Sequence, residues 1–332
     1  MFVPVVDKNQ NPLMPTTPSR ARRWIREGKA TPFWKRGIFC VRLNVEPSDD
    51  KKQEIAVGID PGTKREAFTV KSEAHTFLNI QANSVDWVSE AVYIRRWLRQ
   101  NRRKKAPNRK MRRNRSATRL TPSARARWGL KLRVCNWLSQ MFPLTVFIVE
   151  DVHAKSRGMR RWDFYFSAIE IGKNWFYREL EKIAVVIPFL AGGTRALRTT
   201  TGLKKSSAKL EDKFEAHCLD SWVLANCFTG GHVTPENTSL LRLIPLRFHR
   251  RQLHRIQPAK GGERMRYGGT RSLGFKRGSI VKHLKRGITY VGGYLNGRIS
   301  LHSLETGKRI TQSARPEHVK HLTYNSWRVY AV

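Results

Sequence analysis

Ala56-Val57-Gly58-Ile59-Asp60-Pro61-Gly62-Thr63 reads as an apolar strand that ends in a carboxylate, with Pro61-Gly62 turning the chain directly after it. Two more short apolar runs follow at residues 67–70 and 76–80, each set off by turn or charged residues. A three-stranded meander is expected there. Residues 145–150 form another apolar run that ends in an acid, and residues 184–189 one that reads as a buried strand. Between these runs the period becomes helical. Trp87, Ala91, Ile94 and Leu98 fall at i, i+4, i+7 and i+11, and Leu130, Val134, Trp137, Leu138 and Met141 fall on or near one face of a second helix over residues 123–141. Residues 163–183 and 213–228 read as two more helices. Strands first, then helix alternating with strand, is an α+β or α/β pattern around one mixed sheet spanning residues 54–229.

The flanks differ in texture. Residues 1–50 hold a turn-rich Asn11-Pro12-Leu13-Met14-Pro15 and then a short basic helix, with Thr17 as its cap, Pro18 at its first position and Gly28 at its stop. Arg20, Arg22, Arg23 and Arg26 surround Trp24 and Ile25 on that helix, and residues 37–45 read as a strand. From residue 261 onward the chain is rich in Gly and short strands. Tyr294-Leu295-Asn296-Gly297-Arg298-Ile299 carries an Asn-Gly hairpin turn, so a small β-barrel-like C-terminal domain is expected.

Charge narrows the function. The 332 residues carry 64 Lys and Arg against 25 Asp and Glu, a formal excess of +39, and 40 of the 64 bases are Arg. Such self-repulsion suits a chain that meets a polyanion, and Arg, which forks and stacks, favours nucleic acid over a membrane surface. The excess is not evenly spread: residues 91–149 contain 17 bases and no acid. The four cysteines, Cys40, Cys135, Cys218 and Cys227, are widely spaced with no Cys-x-x-Cys pair, which supports neither a disulfide framework nor a zinc ribbon and suggests a reducing compartment. The longest uncharged run, residues 134–149, contains Pro143 and falls short of the roughly 20 apolar residues that span a bilayer. With no secretory pattern at residues 1–8, a soluble cytoplasmic protein is expected.

In so basic a chain, acids at the ends of apolar strands need a reason. Asp60 and Glu150 each end such a strand, and His217 and Asp220 stand three residues apart on one helix face. If the two strands are neighbours and the helix crosses their ends, all four groups converge. Mutually repelling carboxylates are relieved by hard cations, so two Mg²⁺ ions, with Mn²⁺ a substitute, would sit there. Ions roughly 3.5–4 Å apart activate a water on one side of a phosphodiester and stabilise the leaving oxygen on the other. Each residue also has a plainer reading: Asp60 as a turn residue, Glu150 beside Asp151 as a solvated strand end, and His217 with Asp220 as a surface hydrogen-bonding pair.

Taken in order, these segments resemble a known family. Gly58-Ile59-Asp60-Pro61-Gly62-Thr63, Ile148-Val149-Glu150 and His217-Cys218-Leu219-Asp220 resemble the three split motifs of a RuvC-like nuclease, an RNase H fold. The Arg-rich segment resembles the bridge helix of RNA-guided effectors, and Asn11-Pro12-Leu13-Met14-Pro15 resembles the signature of the PLMP domain of IscB and IsrB proteins, which insertion-sequence elements encode. IscB inserts an HNH nuclease between the second and third motifs. Here 66 residues separate Glu150 from His217, and His153 is the sole histidine among them. TnpB-like proteins carry a Cys-x-x-Cys ribbon that this chain lacks. The pattern therefore looks like the IsrB family, with one departure at Ala67, where relatives often place Gly.

The resemblance implies a layout: a PLMP domain at residues 1–50, a first RuvC-like part at 51–90, an Arg-rich bridge helix at 91–122, the remaining RuvC-like parts at 123–229, and a C-terminal region at 230–332 that contacts guide RNA and the flank of the target. Asp60, Glu150, His217 and Asp220 carry over as the metal-binding catalytic set. A structured guide RNA (omega RNA) would lie on the basic surfaces, pairing would select double-stranded target DNA beside a short flanking motif, and a monomeric protein would nick the displaced, non-target strand. Implied RNA contacts are Arg20, Arg22, Arg23, Trp24 and Arg26; then Arg95, Arg96, Arg99, Arg102, Arg103, Lys104, Lys105, Arg109, Lys110, Arg112, Arg113, Arg115 and Arg119, 13 bases in 25 residues; and Arg250 and Arg251. No residue is assigned to DNA. A nuclease that recognises branched DNA without a guide, and an RNA-binding protein whose acids are structural, remain as alternatives.

Overall fold

In the computed structural model, which describes residues 2–47, 52–104, 120–152, 168–247, 256–257, 261–263 and 271–332, the N-terminal prolines mark a strand where a turn is expected. β1 (Val3–Val6) pairs antiparallel with β2 (Pro12–Thr16), and the turn lies earlier, where the Asp7 carboxylate accepts hydrogen bonds from the backbone and side chain of Asn11, both at 2.8 Å. Pro12 and Pro15 are tolerated because β2 is an edge strand, whose missing N–H groups break no ladder. Helix α1 (Pro18–Arg26) follows, capped by the Thr17 hydroxyl, and then β3 (Ala30–Lys35) and β4 (Ile38–Leu43), the latter parallel to β1.

By its internal contacts the chain divides into two units. Residues 1–32, 40–242 and 331–332 form the first, and residues 33–39 and 243–330 the second. In the first, β5 (Ala56–Asp60), β6 (Arg65–Lys71) and β7 (Thr76–Asn83) make the expected antiparallel meander, with Gly58 opposite Thr69 and Asp60 opposite Ala67. On the other side of β5 lies β8 (Val146–Asp151), parallel to it with Ile59 opposite Val149, and then β9 (Val185–Leu190), parallel to β8. With β10 (Leu240–Pro245) beyond β7, the order is β10-β7-β6-β5-β8-β9. This is the mixed α/β sheet of the RNase H-like expectation. β9 is not the buried strand its composition suggests: at the sheet edge it leaves Val185, Ile187 and Leu190 exposed.

Among the described residues five helices accompany this sheet: α2 (Trp87–Lys104), α3 (Pro122–Ser139), α4 (Ala168–Leu180), α5 (Ala191–Thr200) and α6 (Phe214–Thr229). α5 gives little signal because Gly192-Gly193 lowers its helical propensity. On α2 the expected stripe is only partly covered: Trp87, Ala91 and Leu98 are half-buried and Ile94 is exposed, as are Tyr93 and Trp97 beside it. α6 is buried almost all round, with Cys218, Leu219 and Trp222 against Ala67, and Leu224 and Ala225 against Ala56, Val146 and Ile148. Alternation turns Glu66 to the other face of β6, where it meets Lys131 of α3 at 2.8 Å, both groups almost wholly buried. No helix among the described residues is long and apolar enough to cross a membrane.

The second unit contains two short antiparallel pairs, β11 (Ile256–Gln257) with β12 (Gly262–Glu263) and β13 (Arg271–Ser272) with β14 (Phe275–Lys276). Its main feature is a five-stranded antiparallel sheet of β15 (Ile280–His283), β16 (Gly287–Leu295), β17 (Arg298–His302), β18 (Arg309–Ala314) and β19 (Val319–Thr323), in the order β18-β17-β16-β15-β19. Asn296 and Gly297 turn β16 into β17 with φ of 46° and 70°, the positive pair a type I′ hairpin requires.

Candidate active site

Gly58 sets the geometry. A methyl group built on it would lie 1.8 Å from the Ser221 carbonyl oxygen and 2.8 Å from the Ala225 nitrogen, so only glycine lets α6 rest directly on β5. A buried polar chain fixes the same crossing: Thr69 Oγ1 lies 2.8 Å from Ser221 Oγ and donates to Asn79 Oδ1 at 3.0 Å. The far end of α6 is held by the buried Lys71, whose ammonium donates to Gly230 O at 2.6 Å and Ser72 O at 2.9 Å. Asp60, two residues beyond Gly58, thereby meets the helix that carries His217 and Asp220. Glu150 follows Val149, the partner of Ile59, so it stands beside Asp60 at the point where the β5 pairing ends, while still paired with Phe189 of β9. The acids thus gather at the carboxyl ends of two parallel strands, where open α/β sheets place their crevices.

The four expected residues are brought into one neighbourhood. His217 Nδ1 lies 3.5 Å from Asp60 Oδ2, while its Nε2 lies 2.9 Å from the Lys209 carbonyl. A carbonyl only accepts, so Nε2 carries the proton, and in the neutral ring the Nδ1 lone pair faces the carboxylate. Two acceptors face to face call for a cation or proton between them. Burial, followed by the charges of Asp60 and Asp220, pushes Glu150 up to about 7 against the opposing pull of Lys205. Burial is the larger part of that rise, and the remainder comes from the two neighbouring carboxylates.

Two bases that sequence reading passed over complete the site. Arg198 of α5 places Nε 2.8 Å from Asp220 Oδ1, an oxygen that accepts no well-directed hydrogen bond among the described residues. Lys205, in the loop between α5 and α6, bonds Asp220 Oδ2 and stands 4.0 Å from Asp60 Oδ2. Neither has a periodic or turn-chemistry signal, and in a chain with 64 bases neither stands out.

The donor set fits a divalent cation. Hard carboxylate oxygens predominate, the one imidazole has its second nitrogen committed to a carbonyl as in metal-ligating histidines, and Asp220 Oδ1 lacks a directed partner. Among the described residues no three such ligands are close enough to hold an ion as they stand, and Lys205 lies between two of them.

The expected nucleic-acid contacts are only partly described. Arg20, Arg22, Arg23 and Arg26 are exposed on α1, and Trp24 helps to line a cavity of about 460 Å³ with Leu13, Met14, Arg20, Lys29 and Val45. Arg96, Arg99 and Lys104 are exposed on α2, Arg95 is half-buried, and Arg102 and Arg103 are placed on the helix by backbone alone. Lys105, Arg109, Lys110, Arg112, Arg113, Arg115, Arg119, Arg250 and Arg251 lie outside the described residues.

No curated protein matches the chain. Among solved structures, T. thermophilus RuvC in complex with a Holliday junction substrate is similar at 11% identity and a TM-score of 0.30, over 54% of this chain and 97% of that one. The yeast mitochondrial Holliday junction resolvase Ydc2 is similar at 15% identity and a TM-score of 0.27, over 55% of this chain and 80% of that one. Over residues 3–165, just under half of the chain, the sequence matches the family model described as RRXRR protein.

Proposed function

We propose that this protein is a divalent-metal-dependent nuclease of RuvC-like type that nicks one strand of a DNA target selected by a bound guide RNA. The observation that carries the nuclease reading is the convergence of Asp60, Glu150 and Asp220, with His217, at the carboxyl ends of β5 and β8. Asp60, Glu150 and Asp220 would hold the metal through oxygen, with His217 Nδ1 beside Asp60. Bound there, a pair of Mg²⁺ or Mn²⁺ ions would supply an activated water and stabilise the departing phosphate-ester oxygen. The protein's own part is positional: α6 and the two strand ends fix the acids, and the Lys209 carbonyl fixes the imidazole tautomer.

Guide dependence is supported by the resemblance of the PLMP and Arg-rich segments and by the charge of +39. The protein would hold nucleic acid through phosphates, with strong salt dependence, and leave sequence choice to base pairing. The test is a supercoiled plasmid with a guide-matched site, treated with protein purified with or without its co-expressed RNA. Nicking is expected only with RNA, Mg²⁺ and intact Asp60. Cleavage of branched DNA by RNA-free protein would favour a junction-resolving enzyme instead, and the absence of any Mg²⁺-dependent cleavage would leave an RNA-binding protein.

A further inference from the structure

Asp60 and Asp220 are 6% and 4% exposed, and buried carboxylates need compensating charge. Lys205 and Arg198 supply it, but differently. Arg198 approaches only Asp220, at Oδ1, from a helix. Lys205 reaches both acids through Oδ2 atoms, a single ammonium between two groups that a metal would also share.

Its backbone is placed by anchors on either side. Leu203 packs on the Ala67–Phe214–Leu219 cluster and donates its N–H to the Arg198 carbonyl at 3.0 Å, and the Ser206 N–H donates to the Glu215 carbonyl at 3.0 Å. Further along, Arg65 and Gln81 donate to the Leu210 and Glu211 carbonyls at 3.1 and 3.0 Å, tying the loop to the sheet. Its side chain remains about a quarter exposed and has four rotatable bonds, so it has room to leave along the solvent side.

We propose that Lys205 is a tethered counter-ion of the acid cluster, which balances Asp60 and Asp220 when no metal is bound and must withdraw from them for a divalent cation to enter. Lys205 is thus a positioning residue that sets metal affinity, and the inference rests on the metal-site reading above. Two opposite effects follow from one substitution. Lys205→Met removes the balancing charge, so the metal-free protein melts at a lower temperature. It also removes a competing cation, so Mn²⁺ binds more tightly, by about tenfold or more given the strength of charge interactions at such separations.

The experiment is calorimetric titration of the full chain with Mn²⁺, together with thermal melting in EDTA and in Mn²⁺, for wild type, Lys205→Met, Lys205→Gln and Lys205→Arg. The expected result is tighter Mn²⁺ binding and a larger Mn²⁺-induced rise in melting temperature for the Met and Gln variants, with Arg close to wild type. Lys205→Gln keeps most of the side chain's reach and decides the matter if the Met variant does not fold. Equal or weaker Mn²⁺ binding by a folded Met or Gln variant overturns the role of Lys205 while leaving the metal site in place. Failure of wild type and variants alike to bind Mn²⁺ overturns the metal-site reading and this inference with it.

Discussion

Gly58→Ala should disable the site without touching an acid. The added methyl would lie 1.8 Å from Ser221 O, 2.9 Å from Ser221 C and 2.8 Å from Ala225 N, all backbone atoms of α6 that cannot rotate away. Restoring a carbon–oxygen contact of about 3.3 Å requires α6 to move off β5 by roughly 1.5 Å. The move strains Thr69–Ser221, opens the packing on Ala67 and carries His217 and Asp220 away from Asp60. Overpacking of this kind costs about 1–3 kcal/mol, occasionally more, against a gain of roughly 0.5–1 kcal/mol for replacing Gly in a strand. A net loss of about 1–2 kcal/mol in urea unfolding is expected, with a much larger proportional loss of Mn²⁺ binding and nicking. Gly129→Ala is the control, because a methyl there meets nothing within 4 Å in the middle of α3 and should stabilise by roughly 0.8–1 kcal/mol. If Gly58→Ala unfolds at the wild-type midpoint and binds Mn²⁺ as wild type does, α6 is not seated on β5 and Gly58 does not set the geometry of the site.

Three further outcomes are expected. Asp60→Asn and Asp220→Asn should each abolish plasmid nicking, while the amount of co-purifying RNA, measured by gel, stays at the wild-type level. Glu150 has a folded pKa of about 7, above its unfolded value of 4.5, so its contribution to stability is present below pH 4.5 and lost as pH rises through 7. Melting of the metal-free protein should show that decline, and Glu150→Gln should flatten it. Lys131→Met strands the Glu66 carboxylate, which burial pushes up, in the interior and should cost about 3–5 kcal/mol near pH 8. As that charge is shed on acidification, the deficit in urea unfolding should shrink as pH falls; a deficit independent of pH would show that Glu66 is not the cause.

The strands and helices that hold the acids were legible because they combine period with punctuation: an apolar run, a terminal acid, a Pro-Gly turn. The meander, the strand β8 and helix α6 all follow from such signals. Proximity was not legible. That β8 lies beside β5 is a pairing between distant segments that neither run specifies, and that α6 crosses them depends on the space Gly58 leaves open, where a strand glycine alone does not say which backbone fills it. Pro12–Thr16 misled because proline marks turns and edge strands alike, and β9 because an apolar run does not say how well it is covered. Lys205 and Arg198 were invisible for an electrostatic reason: they act by lying close to Asp60 and Asp220, and a background of basic residues hides the ones that pair.

The site also has a timetable. Asp60, Glu150 and Asp220 come from three stretches of chain, and the last docks only when α6 closes over strands formed some 160 residues earlier. Contacts of that sequence separation form late, because the entropy of closing the loop is lost before the packing compensates it. A chain emerging from the ribosome would present its Arg-rich segment, and be able to gather RNA, well before it could cut anything. On the proposed function, binding competence would precede cleavage competence in the life of every molecule, a useful order for a chain made close to nucleic acid.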